Sequence, residues 1–407
     1  MTDTNKLPSR RPVELIPSQT KDGQIAFLVR DPMQISPRPL VTSWAGYFVI
    51  MHLDGDHSVR DIQEAFREHV GQTIPEGEIL RMVGVLDHYL MLETEKFEQA
   101  YSVQRAAYMA ESARDNREQW PSADALQHEI EQILAEAASE PLSGVAGIIA
   151  PHLDYRRGKP CYRAAYATLA NLEPADRYII LGTNHAGRSQ SLVASTRDWQ
   201  TPLGLVPTDR TFIERLEHRL GGGLCEYEFD HYHEHSIDLQ VHLLQVLGTR
   251  AGGKAFTIVP VLCSDITGLP GTAPEESGIK EADRFAAALA HEIAADDAST
   301  VVIASADLSH IGLPFGEEEP STPAFLKEVA THDQILLESI EANNPDKFVD
   351  QLRVTLNQSR VCSSGCLYAI RRTLAECECR VLQYHQALDP ETDTNVTCAA
   401  AVFLMRQ

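Results

Sequence analysis

Tyr178-Ile179-Ile180-Leu181-Gly182-Thr183-Asn184-His185 is an apolar, β-branched run that leads straight into a histidine, and Gly147-Ile148-Ile149-Ala150-Pro151-His152 has the same form upstream. Continuous apolar runs of this length belong to strands buried on both faces, the usual condition of a parallel sheet covered by helices. Sites in open α/β sheets gather beyond the carboxyl ends of the strands, so two histidines at such ends are candidates for one shared site. Metal binding is the first chemistry that the pair suggests.

Outward from these two runs the same grammar continues. Apolar segments at 145–150, 178–182, 256–262, 301–305, 379–384 and 398–404 alternate with helix-length segments such as 162–170, 208–220, 235–248, 281–294, 323–342 and 364–376. The alternation predicts an α/β fold with a central, largely parallel sheet flanked by helices.

Upstream the pattern differs. Residues 1–35 are polar and punctuated by proline, and are read as an N-terminal extension. Leu40 to Met51 is apolar and aromatic and reads as a strand, followed by a turn at Asp54-Gly55-Asp56. Ser58 with Asp61 opens a helix carrying Ile62, Phe66 and Val70, and Pro75-Glu76 starts a second with Ile79, Met82, Val83 and Leu86. Tyr89 to Leu92 closes the segment as a short strand. This layout, with Leu53-Asp54-Gly55, Ile62 and Phe66, resembles the PqqD-type winged-helix peptide-recognition domain. The expected organisation is therefore an extension over 1–35, a small winged-helix-like α+β domain over 36–100 and the α/β domain over 107–407. The charged helical stretch at 98–140, broken at Trp120-Pro121, holds the boundary.

Composition narrows the function. A chain of 407 residues exceeds one typical core. Its 58 acidic against 35 basic residues give a net charge of −23, which argues against nucleic acid and anionic membrane surfaces as partners. No apolar run is long enough to span a bilayer, and Met1 to Leu7 lacks the apolar core of a signal peptide, so a cytoplasmic protein is expected. Eight cysteines in so long a chain are too sparse for a disulfide scaffold and read as reduced thiols.

Four further features share the strand-end theme. In Val301-Val302-Ile303-Ala304-Ser305-Ala306-Asp307-Leu308-Ser309-His310 a buried strand is followed by a carboxylate and an imidazole, read as one helical turn apart, which allows Asp307 to orient His310 for proton transfer; the plainer alternative is a helix N-cap by Asp307. His152 has its own plainer alternative, a buried histidine bonded to backbone, and Gly182 lets the chain bend at its strand end. Glu234-His235-Ser236-Ile237-Asp238-Leu239-Gln240 heads an amphipathic helix, and His231, His233 and His235 would share one face of an extended chain, a spacing that fits no usual zinc pattern. Cys362 and Cys366 precede an apolar helix, where a thiolate is stabilised. No P-loop, nucleophile elbow or dinucleotide fingerprint is present.

Taken in order, Ala150-Pro151-His152, Leu181-Gly182-Thr183-Asn184-His185, Thr201-Pro202-Leu203-Gly204, Glu234 through Gln240, Ile258-Val259-Pro260-Val261, Ser305-Ala306-Asp307-Leu308-Ser309-His310 and Cys362 with Gly365 resemble the Memo family, in the branch called AmmeMemoRadiSam system protein B. The resemblance implies a fold like that of class III extradiol dioxygenases and a mononuclear metal site of His152, His185 and Cys362. It implies that Asp307 and His310 line the same pocket, with His310 as acid/base. Iron(II) is the first expectation for the metal, and copper also suits a His2Cys set. Radical SAM and AMMECR-type proteins are the partners it implies. Where much of the family has Ala-Gly-Tyr after the first histidine, this chain reads Leu153-Asp154-Tyr155-Arg156-Arg157-Gly158, and Cys366 stands where many relatives have proline.

Two functions follow as expectations. One is a metal-dependent redox enzyme related to the extradiol dioxygenases, acting on a small molecule or peptide. The other is a non-catalytic module that holds metal or a partner peptide within a radical SAM system.

Overall fold

The computed structural model describes residues 6–19, 22–135, 142–267 and 273–406. It divides into two compact units, Met1–Ala110 and Glu111–Gln407. Residues 1–5 of the N-terminus and the end of the expected helical stretch, 136–140, lie outside the described residues.

The first unit opens with three antiparallel strands, β1 (Glu14–Gln19), β2 (Ile25–Arg30) and β3 (Leu40–Ser43), followed by the helices α1 (Trp44–Met51), α2 (Val59–Val70), α3 (Glu76–His88) and α4 (Glu95–Ala110). The stretch before residue 36 is thus part of a folded sheet. It is also tied down by charge: Arg11 makes two 2.9 Å hydrogen bonds to the buried Asp31 carboxylate and one of 2.7 Å to Leu90 O. The apolar run from Leu40 to Met51 is a strand only to Ser43. There the Ser43 hydroxyl accepts from Gly46 N and starts α1, an outcome that an all-apolar run does not distinguish from a longer strand. Ser58 and Asp61 form the reciprocal capping box read from the sequence. Tyr89 to Leu92 forms no strand of its own, and Leu92 makes a single bridge with Arg10.

The second unit runs β4 (Ala113–Asp115), α5 (Ala123–Leu134), β5 (Val145–Ala150), α6 (Tyr155–Ala167), β6 (Arg177–Thr183), β7 (Val193–Ala194), β8 (Asp198–Thr201), β9 (Gly204–Val206), α7 (Arg210–Leu220), α8 (Ser236–Arg250), β10 (Thr257–Cys263), α9 (Glu276–Ala294), β11 (Thr300–Ser305), β12 (Asp307–Ile311), α10 (Pro323–Glu341), α11 (Pro345–Thr355), α12 (Ser364–Thr373), β13 (Glu378–Asp389) and β14 (Thr394–Leu404). Strands β5, β11, β6 and β10 lie side by side and parallel. Around this parallel centre β14 pairs antiparallel with β5, β12 and β13, and β7 with β10.

Alternation along each strand sends successive side chains to opposite faces, and both faces are apolar. Ile179 and Leu181 of β6 pack with Phe212 of α7, Phe285 and Leu289 of α9 and Leu367 of α12. Tyr178 and Ile180 pack on the other side with Leu126 of α5, Tyr162 and Tyr166 of α6 and Leu243 of α8. The result is a helix–sheet–helix sandwich whose parallel strands present their carboxyl ends together. Among the described residues no helix is long and apolar enough to cross a membrane.

Candidate metal centre

His152 follows the end of β5 by two residues, His185 follows the end of β6 by two, and Cys362 stands two residues before α12. One donor atom from each lies within 4.8 Å of the others. The two imidazoles meet edge to face with ring centroids 4.8 Å apart, and Cys362 Sγ is 3.5 Å from His152 Nε2.

Fixed acceptors set the tautomers. His152 Nδ1 faces Ser305 O at 3.0 Å, and a carbonyl only accepts, so Nδ1 carries a proton and Nε2 is the nitrogen turned to the site. His185 Nδ1 lies 3.1 and 3.2 Å from the two Glu234 oxygens, which leaves its Nε2 facing the same way. The Glu234 carboxylate is itself held by His185 N, His235 N and Ser236 N, at 3.1, 2.9 and 2.9 Å. Both imidazoles are thereby aimed by protein groups alone.

The thiol is placed by α12. The Ser363 hydroxyl accepts from Asp307 N at 3.0 Å and lies 2.9 Å from Thr183 Oγ1, joining the strand ends of β6 and β11 to the residue after Cys362. Ser364 donates to Asp265 beyond β10. Gly365 is pressed so closely onto Ser264 O that a Cβ would collide with it.

Electrostatics hold the cluster as an alternation of charge. Burial pulls His152 down, but Asp307 and Cys362 outweigh it and push its pKa up to about 9. His185 is likewise raised well above the imidazole range, burial being outweighed by Glu234 and Cys362. Burial pushes the Cys362 thiol up, yet His310, His152 and His185 hold it well below the thiol range. Thiolate and carboxylates therefore stabilise protons that a bound cation would replace, and the donor set fits a borderline or soft transition-metal ion.

The structure brings together His152, His185 and Cys362 and rearranges the rest. Asp307 and His310 lie on strand β12, not on a helical turn, with Asp307 opposite Cys398 and His310 opposite Val396 of β14 and an irregularity between them. Asp307 contacts His152: Oδ1 accepts from His152 N at 3.2 Å and Oδ2 is 3.5 Å from Nε2. His310 instead has Nδ1 3.1 Å from both Leu308 O and Arg360 O, so its Nε2 is the available nitrogen. Gly182 lies within a regular strand. Its role is close approach, since a Cβ would sit 2.6 Å from Ser236 Oγ and 2.7 Å from Ile237 Cγ1.

His231, His233 and His235 do not share a face. His231 sits in a 3-10 turn with Nε2 2.9 Å from Val193 O, whereas His235 stacks on His185 with centroids 5.3 Å apart. His235 and Glu234 are the functional residues that the sequence reading left outside the site. With His185 they form a second group able to hold a cation. The position of Glu234 directly after a histidine-rich turn and before a buried helix was the available signal. Cys366 is buried, 3.5 Å from Thr183 Oγ1, and burial and the neighbouring Cys263 raise its pKa well above the thiol range.

A buried ion pair fastens the Glu234 turn. Arg114 of β4 donates to His231 O and Glu234 O, each at 2.5 Å, and to the two oxygens of Asp238 at 2.6 and 3.1 Å. Trp199 Nε1 completes the Asp238 shell at 2.5 Å.

Residues 121–402 match the family described as Memo-like protein. A MEMO1 family protein of Aquifex aeolicus is 23% identical over 385 residues, spanning 93% of this chain and 96% of the relative. One from Methanopyrus kandleri is 30% identical over 49% of this chain and 65% of its own length, and one from Methanococcoides burtonii is 32% identical over 41% and 55%. This chain thus spans nearly the whole Aquifex relative and between half and two thirds of the archaeal ones. A solved structure of an uncharacterized protein from Escherichia coli K12 aligns with a TM-score of 0.34 and 12% identity, covering 57% of this chain and 87% of that one.

Proposed function

Since the chain belongs to the Memo family, we propose that its α/β unit binds one redox-active metal ion through His152, His185 and Cys362, iron(II) first and copper second, and acts as a metal-dependent redox enzyme. The observation that carries this reading is the convergence of three donor atoms within 4.8 Å at the carboxyl ends of the parallel strands. The ion would supply Lewis acidity and electron transfer to a bound substrate.

The rest of the chemistry belongs to the side chains. Asp307, 3.5 Å from His152 Nε2, and Glu234, against His185 Nδ1, hold the two imidazoles in place. His310 presents Nε2 as a proton acceptor because its Nδ1 faces two carbonyls. His235 offers a second imidazole: burial, with the charges of His185 and His152, outweighs Glu234 and pulls its pKa below the usual value.

The test is oxygen uptake by protein loaded with iron(II) or copper, on a panel of phenolic and peptidic compounds. The enzyme reading expects uptake that His310→Ala lowers about 10²–10⁴-fold with metal content retained. Stoichiometric metal with no uptake on any compound would leave a metal-holding module within a radical SAM system and remove the enzyme.

A further inference from the structure

Helix α6 carries its charges against the usual order. Asp154 caps it, accepting from Arg157 N at 3.0 Å, but the first turn holds no acidic residue. Arg156, Arg157 and Lys159 crowd the helix start and Arg163 follows one turn on. Cations are disfavoured at a helix N-terminus, where the macrodipole is positive, and the concentration stands out in a chain of net charge −23. Local rules broken at a cost in stability mark functional positions.

These side chains border an open cavity of about 470 Å³, bounded on its other side by His385 and Gln386 of β13. That volume suits a small organic ligand. Arg157 is paired with Asp154 at 2.5 Å, and Asp389 lies within electrostatic reach of Arg157. Arg156 and Lys159 have no carboxylate partner among the described residues. Burial lowers the His385 pKa, and its ring is bonded to the Arg157 backbone. The cavity therefore keeps a surplus of cations with Pro160 and Leu388 as apolar wall.

We propose that the cavity between α6 and β13 binds a small phosphorylated anion, with its phosphates on Arg156 and Lys159 and its organic part on Pro160 and Leu388. A guanidinium fork matches phosphate oxygens in pairs, and an ammonium supplies a point charge beside it. A long polyanion such as RNA is disfavoured because the acidic remainder of the chain repels it, while a ligand small enough to lie within the cavity meets only the local cations.

The test is calorimetric titration of the full-length protein with sodium pyrophosphate, with citrate as a comparison anion. Saturable pyrophosphate binding that weakens with added salt is expected, tighter than any response to citrate. Arg156→Gln with Lys159→Gln should lower the affinity about 10-fold or more, and single Arg156→Gln, an exposed change, should lower it part of the way. His152→Ala should leave it unchanged. Absence of saturable binding, equal binding of citrate, unaltered affinity in both Arg156 variants, or loss of binding in His152→Ala would each overturn the proposal.

Discussion

Asp307 contacts His152 and not His310: its Oδ1 accepts from His152 N at 3.2 Å and its Oδ2 lies 3.5 Å from His152 Nε2. The carboxylate therefore both fixes the backbone at the end of β5 and lies beside the nitrogen assigned to the metal. Asp307→Asn keeps the first contact and removes the charge. Metal affinity should fall about 10–100-fold, the usual effect of losing an outer partner. Competition titration against a chromophoric chelator measures it, and unchanged affinity would reduce Asp307 to a backbone anchor.

Glu234 does for His185 what Asp307 does for His152, and it does so more completely, with both oxygens within 3.2 Å of Nδ1. Glu234→Gln should lower metal affinity by a similar about 10–100-fold while the melting temperature changes little, because the amide oxygen still accepts at the start of α8. An affinity equal to that of the unaltered protein would mean that His185 needs no orienting partner.

The Arg114–Asp238 pair is fully buried, and removing one partner of such a pair leaves an uncompensated charge. Arg114→Met should destabilise the fold by about 3–5 kcal/mol in chemical denaturation. Because Arg114 also holds Glu234 O, metal occupancy should fall with it. Loss of stability with full occupancy would show that the Glu234 turn keeps its place without β4.

Acid should weaken the fold through two buried histidines. Burial lowers the pKa of His231 and of His242 to about 4 each, against an ordinary value of 6.5. A depressed imidazole contributes stability above its unfolded pKa and loses it as pH falls, so the loss runs from about pH 6.5 down through about pH 4. At about 1.4 kcal/mol per pH unit of displacement, each accounts for about 3 kcal/mol. His242→Phe should flatten this acid limb in denaturation midpoints recorded from pH 7 to 4, and an identical limb in the variant would place the acid sensitivity elsewhere.

The parts of the site that were legible in the sequence are those written by strand periodicity. Ile179 to Leu181 and Ile148 to Ala150 end in His185 and His152 because both faces of their strands are buried, a condition visible in composition alone. Cys362 was legible from its own surroundings as a thiol before a helix, and as a ligand through the family resemblance. The partnership of Asp307 was not, because it stands three positions before His310 in either a helix or a strand, and only pairing with β14 decides which. Glu234 and His235 escaped because a 3-10 turn ending at His231, followed by a bend, replaces the extended chain expected there. The helix at Trp44–Met51 was hidden by an apolar run that suits either state, and the strands at Glu14–Gln19 and Ile25–Arg30 by the polar, proline-punctuated stretch around them, although Ile25 to Val29 is itself an apolar run.

The most direct test of the metal centre is elemental analysis of protein purified without added metal and with oxygen excluded, for the unaltered chain and for His152→Ala, His185→Ala and Cys362→Ser. The account predicts about one iron or copper ion per chain, sharply reduced in each of the three variants while their far-ultraviolet dichroism is retained, since strand-end ligands stabilise a site rather than a core. Equal metal content in the unaltered chain and all three variants would contradict it.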